Sequence, residues 1–277
     1  MGFVMLQGRC LRTAGLWAAA LAAGLAGFPA LAQTAAPPPS TAPNGDATAS
    51  SAHAMTDHGV ELLNAHKDYE ALAVFRRSAA IGDVDAMMYL GVMYGSGRGT
   101  PKDSTAAMAW FRQAAEAGNN QAMCNIGVLY MRGDGRPKNY GDAMTWFRKA
   151  SNAGNTEAMF NVGVLYRDGL GVPVDSAEAL RWFRRAAGEG DIPAANAIGV
   201  MYQQGSGVPV DYAEAMKWYR QAADAGSDAA MYNIGVLWEG GLGVAKDTAQ
   251  AIAWYRKAAI TGNERAREAL KSLGDKE

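Results

Sequence analysis

Three histidines, His53, His58 and His66, are the first residues to test for chemistry. His53 falls in a Pro-, Ala-, Ser- and Thr-rich stretch. His58 and His66 are eight apart, two helical turns, so one face of an opening helix could carry both. Metal binding by that pair competes with a plainer reading, exposed polar residues on a capping helix, and no metal site is expected. No Gly-x-Ser-x-Gly elbow, phosphate-binding loop or His-Glu-x-x-His pair is present. Gly-x-Gly pairs such as Gly97-Arg98-Gly99 recur along the chain, but they follow helical patterns rather than strands, which makes them turn punctuation. Arginine recurs at Arg76, Arg112, Arg148, Arg184, Arg220 and Arg256. Six charges in a row could hold an anion. Their fixed register, tracking the apolar frame, favours a solvated or ion-paired helix face. No catalytic residue and no cofactor is expected.

Composition narrows the classes. The chain has 277 residues, 49% of them hydrophobic, so a sizeable core can form. A formal net charge of −1 argues against a nucleic-acid partner, which needs a basic field. Residues 1–32 read as a secretory signal: Arg9 and Arg12 without an acid, the apolar stretch 13–27, then Ala30-Leu31-Ala32 for cleavage. The alternative is an uncleaved anchor, although the apolar stretch is shorter than the ~20 residues of a membrane span. Removal takes both arginines and shifts the net charge from −1 to −3. It also removes Cys10 and leaves Cys124 as a single cysteine, unable to form an internal disulfide. The expected location is periplasmic or secreted, with no integral membrane segment after cleavage. Residues 33–55 read as a flexible tether too poor in apolar groups to offset ordering entropy.

The elements that would position any site follow one ruler. Trp110, Trp146, Trp182, Trp218 and Trp254 are each 36 residues apart, as are Gly91, Gly127, Gly163, Gly199 and Gly235. A fixed period of this size signals stacked units. Each unit reads as two helices. In one, Ala107, Phe111 and Ala114 share a face, Asp103 and its equivalents Asn139, Asp175, Asp211 and Asp247 cap the start, and Gly118 ends it. Glu178, Glu214 and Gln250 stand where a capping box would put them. In the other, Asp83, Asn119, Asn155, Asp191, Ser227 and Asn263 are caps, and Met123, Ile126, Gly127 and Tyr130 form the core stripe. A glycine inside that helix costs ~1 kcal/mol relative to alanine, so its recurrence points to a close helix approach. The expected organisation is a repeat body over 56–277, with units near 68–102, 103–138, 139–174, 175–210, 211–246 and 247–273. The polar residues Arg265, Arg267, Glu268 and Lys271 close the last unit.

These motifs are Gly127-x-x-Tyr130, the Gly-x-Gly-Val-Pro-x-Asp loop at 169–175, and Ala179-x-x-Trp182-Phe183-Arg184-x-Ala186-Ala187 with Gly190. Together they resemble the Sel1-like repeat family, relatives of the tetratricopeptide repeats, over roughly residues 57–273. The resemblance implies an all-α, right-handed solenoid of antiparallel helix pairs. It also implies an adaptor, in bacteria often attached to envelope signalling or assembly.

Against an invariant frame, the changing positions are the candidate site. On the second helix they are Met88, Cys124, Phe160, Asn196 and Tyr232, then the constant Val92, Val128, Val164, Val200 and Val236, then Gly95, Met131, Arg167, Gln203 and Glu239. They form a stripe at i, i+4 and i+7. In tetratricopeptide-like solenoids the corresponding helix lines the concave surface, and a groove whose side chains change suits a peptide or protein partner. The other reading is packing against the next repeat. Asn125, Asn161 and Asn233 beside the stripe could bind a peptide backbone or tie repeats together. The expected function is a non-catalytic exported scaffold that binds a protein or peptide. The alternatives are an envelope enzyme or a glycan-binding module, related to β-lactams or peptidoglycan. The enzyme alternative comes from cysteine-rich relatives with a disulfide in each repeat, a feature this chain lacks.

Overall fold

The structure is a computed structural model, and it describes residues 46–274. The expected signal segment and the tether up to residue 45 lie outside the described residues. The described residues form thirteen α-helices and no strand. They fall into two compact units, one ending at Asn155 and the other beginning at Thr156.

The first unit holds α1 (Asp46–Asn64), α2 (Asp68–Ala80), α3 (Val84–Ser96), α4 (Ser104–Glu116), α5 (Asn120–Arg132) and α6 (Tyr140–Asn152). The second holds α7 (Thr156–Asp168), α8 (Ser176–Gly188), α9 (Ile192–Gln204), α10 (Tyr212–Asp224), α11 (Asp228–Gly240), α12 (Thr248–Ile260) and α13 (Glu264–Ser272). Within each unit, helices adjacent in sequence pack against each other, which gives the all-α solenoid architecture expected from the period.

Caps set the helix starts. The side chains of Asp103, Asn139, Asp175, Asp211 and Asp247 accept from backbone N–H groups at the starts of α4, α6, α8, α10 and α12. Asp83, Asn119, Asp191, Ser227 and Asn263 do the same three residues on. Each such cap stabilises its helix by about 1 kcal/mol. The capping box does not form. The carboxylate of Glu178 turns forward to Arg181 and to the Trp182 indole N–H instead of back to its cap, and Glu214 turns to Lys217. A basic residue one turn on outbids the backbone for the carboxylate.

The recurrent glycine marks the tightest packing. A Cβ on Gly91 would lie 2.4 Å from the Phe111 ring, and on Gly127 2.6 Å from the Phe147 ring. Gly163 faces Phe183, Gly199 faces Tyr219 and Gly235 faces Tyr255 in the same way. These rings are among the largest fully buried side chains. The Gly-x-Gly loops complete the frame. Gly97 ends α3 with φ 76°, a left-handed cap that favours glycine. A Cβ on Gly99 would meet the Asp68 carbonyl oxygen at 2.5 Å, so this second glycine seats the loop on the start of α2.

The N-terminal edge differs from expectation. The sequence reads as tether up to residue 55, whereas α1 runs from Asp46 and buries Ala52 and Thr56. A Cβ on Gly59 would lie 2.6 Å from the Phe75 ring, the same glycine-to-ring packing as in later repeats. Ser78 donates to the Ala52 carbonyl at 2.7 Å, and Thr56 donates to the Asp83 carboxylate at 2.9 Å. These bonds supply the partners that the sparse apolar pattern of the segment conceals. His66 has φ 57° and lies past the end of α1, so it does not share a helix face with His58. Among the described residues no group of three metal-ligating side chains occurs.

Candidate interaction surface

The arginine row is structural where its partners are seen. Arg76 donates to the Tyr94 hydroxyl at 2.5 Å, Arg112 to Tyr130 at 3.4 Å and Arg184 to Tyr202 at 2.6 Å. In each case the tyrosine lies eighteen residues on, in the helix that follows. A neutral hydroxyl, rather than a carboxylate, ties the two helices together.

The tryptophan row is half-buried. Lys149 lies 4.5 Å over the Trp146 ring, Arg185 5.3 Å over Trp182 and Lys257 4.0 Å over Trp254. These are cation–π pairs within single helices, so the rings serve the frame at its edge.

Buried and half-buried residues divide the changing stripe. Met88, Cys124, Asn125, Val128, Met131, Phe160, Asn161, Val164 and Asn196 are buried. Arg167, Gln203, Tyr232, Asn233 and Glu239 are half-buried. Apart from Gly95, the half-buried positions of the stripe belong to the second unit. Cys124 is wholly buried and is not a free thiol, against the expectation of a lone cysteine; Cys10 lies outside the described residues.

Several changing residues answer to the frame. Phe160 packs on Phe183 with ring centroids 5.3 Å apart, and Tyr232 on Tyr255 at 5.5 Å. The Tyr219 hydroxyl donates to Gln203 Oε1 at 2.6 Å, and the Tyr255 hydroxyl to Glu239 Oε2 at 2.6 Å. Burial pushes the Tyr219 phenol well above the ordinary tyrosine value. Burial does the same at Tyr255, reinforced by the bond to Glu239. Gln203 and Glu239 therefore satisfy ring hydroxyls, a role the sequence analysis missed. Its signal was available: where the frame ring is tyrosine, an acceptor stands sixteen residues earlier; where it is Phe147 or Phe183, that place holds Met131 or Arg167. Asn233 donates to Asn196 Oδ1 at 3.0 Å, so this asparagine ties neighbouring repeats. Arg167 pairs with Asp168.

The frame now has its parts: paired helices, a glycine slot filled by a ring, and an Asx or Ser cap at each tight turn. The Sel1 repeat family model matches residues 84–119, 120–155, 156–191, 192–227 and 228–263. The chain belongs to the Sel1 repeat family. Its repeats begin at α3, α5, α7, α9 and α11, half a period from the unit boundaries read in the sequence, so the Gly-x-Gly loop lies inside each repeat. The chain is 35% identical to a Sel1 repeat protein from Oxalobacter formigenes, over 80% of this chain and 90% of that one, with a TM-score of 0.74. It is 33% identical to c5321, a protective antigen of uropathogenic Escherichia coli with the same repeat fold. That match covers 81% of this chain and 49% of the antigen, with a TM-score of 0.67. The immunity protein Pa5087 from Pseudomonas aeruginosa shares the fold at 18% identity, covering 79% of this chain and 84% of that one, with a TM-score of 0.53. No curated protein matches the chain. Sel1 repeats are generally protein-interaction scaffolds, and the fold is typically non-catalytic. No described helix is long and apolar enough to cross a membrane.

Proposed function

We propose that the chain is a non-catalytic exported scaffold whose repeats receive a protein or peptide along the changing register of their first helices. One observation carries this reading. Glycine, ring and cap are accounted for by the frame, while Tyr232 and Arg167 stand half-buried beside it at registers whose residues change from repeat to repeat. An aromatic ring with one polar edge and a guanidinium are side-chain types that carry energy and specificity at protein contacts. Export rests on the charged, apolar, then small-residue order of residues 1–32.

Capture from envelope extract tests the binding. The wild-type chain is expected to retain a defined protein, and Tyr232→Glu is expected to lose it while circular dichroism stays unchanged. Equal retention by wild type and variant would remove the register from the function. Sequencing the N-terminus of protein recovered from the envelope fraction tests export, with Gln33 as the expected first residue.

A further inference from the structure

The loop after α5, residues 132–138, carries basic side chains that the frame does not account for. In the later repeats the place of Arg136 is held by Val172, Val208 and Val244, each half-buried, and in the preceding loop by Thr100. Arg136 alone puts a charge in this seat. A seat that suits a short uncharged side chain takes hydration away from a guanidinium. The Arg136 Nε is closed off from solvent and has no hydrogen-bond partner, although the residue as a whole is only half-buried.

The surroundings add positive charge instead of cancelling it. Arg136 lies over the Tyr130 ring, its Cζ 4.7 Å from the centroid, so a ring face rather than a carboxylate sets its plane. Arg132, the last residue of α5, is half-buried too. Burial pushes its guanidinium below the ordinary arginine value, and Asp134 acts against that shift. Among the described residues neither guanidinium has a hydrogen-bond or ion-pair partner. The Asp134 carboxylate faces Lys102 of the neighbouring loop, 3.9 Å away. A Cβ on Gly133 would lie 2.8 Å from Lys138 Cγ, so the exposed Lys138 runs back across the residue that follows Arg132.

We propose that this loop receives an acidic segment of the protein partner, with the guanidiniums of Arg132 and Arg136 donating to its carboxylates and Lys102 and Lys138 at the exposed rim. A planar guanidinium matches a carboxylate with two parallel N–H···O bonds. A carboxylate is favoured over a phosphate dianion because Asp134 stands within the cluster and repels the second charge. The arginine bonds slow dissociation, and the rim lysines attract the segment and speed its association. This rests on the scaffold reading above and names the chemistry of the partner. It places the contact on the loop rather than on the changing register of the helix.

The test uses the full chain and a labelled oligoglutamate peptide, with oligoglutamine as control, read by fluorescence anisotropy and stopped flow. The wild type is expected to bind oligoglutamate about tenfold or more tighter than oligoglutamine. Arg136→Val should weaken that binding about tenfold through faster dissociation, with a thermal midpoint equal to or above that of the wild type. Lys138→Gln should weaken it about twofold through slower association, and Arg265→Gln on α13 should leave it unchanged. If the wild type does not distinguish the two peptides, the acidic-segment assignment falls. The scaffold reading is then still decided by capture of a partner and its loss in Tyr232→Glu, so the two fail separately. Equal binding by wild type and Arg136→Val, or an equal loss in Arg265→Gln, would reduce the effect to diffuse charge and overturn the site. A midpoint several degrees lower in Arg136→Val, with affinity unchanged, would assign the guanidinium to the fold. Displacement of the label by inorganic phosphate more readily than by unlabelled oligoglutamate would make the loop a phosphate site and overturn the choice of carboxylate. Should Arg136→Val fold poorly, Arg136→Lys keeps the charge without the planar fork and should still lose most of the affinity; full retention would overturn the proposal.

Discussion

The unit ending at Asn155 and the unit beginning at Thr156 fill the same glycine slot with different rings. The first uses Phe75, Phe111 and Phe147; the second uses Phe183 and then Tyr219 and Tyr255. The rings are equally buried, yet the tyrosines carry a hydroxyl that must be met. The second unit meets it with Gln203 and Glu239. The first unit places Met131 at the corresponding position and buries it. Polarity in the changing register thus follows, in part, from the ring chosen for the frame. Variation from repeat to repeat is not all recognition: some of it is the consequence of a substitution sixteen residues away.

Several substitutions would break or sharpen this contrast. The largest effect belongs to the slot itself. Phe147→Ala should cost about 3–5 kcal/mol of unfolding free energy in urea titration, whichever unit the comparison favours. Gly127→Ala should cost about 1–3 kcal/mol, because the added Cβ falls 2.6 Å from the Phe147 ring. Phe147→Tyr is the sharper experiment. It strands a hydroxyl beside Met131 and should cost about 1–3 kcal/mol, with Met131→Gln restoring much of the loss. If Phe147→Tyr is neutral on its own, the pairing of ring and acceptor is incidental.

Alkaline pH separates the units by another route. Tyr219 and Tyr255 are held protonated in the folded state above the ordinary tyrosine value. Above about pH 10 the unfolded chain loses those protons while the folded chain keeps them, so the folded state binds more protons and stability falls as pH rises. Their contribution is complete below about pH 10. Replacing both with phenylalanine should flatten the decline above pH 10 measured by chemical denaturation, and an unchanged slope would place its origin elsewhere. The smallest effect is expected at the helix ties. Arg184→Ala removes one exposed bond to Tyr202 and should cost about 0.5–1.5 kcal/mol.

Much of the fold was legible because its causes are local or strictly periodic. A cap needs only its own side chain and the N–H three residues on, so Asp103 and Asn119 could be read from type and position. The glycine slot could be inferred from its recurrence inside a helix where glycine is disfavoured. The partner of that slot could not be named, since choosing Phe111 over Trp110 requires the helix crossing. The changing register was visible as a pattern, but pattern does not give exposure, so groove and packing against the next repeat both stood open for Cys124 and Phe160 until their burial decided for packing. Glu178 misled because a capping box and a forward ion pair to Arg181 require the same residue at the same place. The start of α1 was hidden by weak composition: Ala52 and Thr56 are held by hydrogen bonds to Ser78 and Asp83, which no apolar period records.

The second glycine of each loop carries a further implication for how such a chain can change. Gly207 sits against Ser176, and Gly243 against Tyr212, each leaving no room for a side chain. Every such seat matches a loop to the helix start of the preceding module. A duplication of one whole 36-residue module reproduces both halves of the seat, whereas a shorter insertion leaves a loop without its landing place. Length is therefore a quantised property of this architecture, and reach can be gained by copying without redesign of the interior.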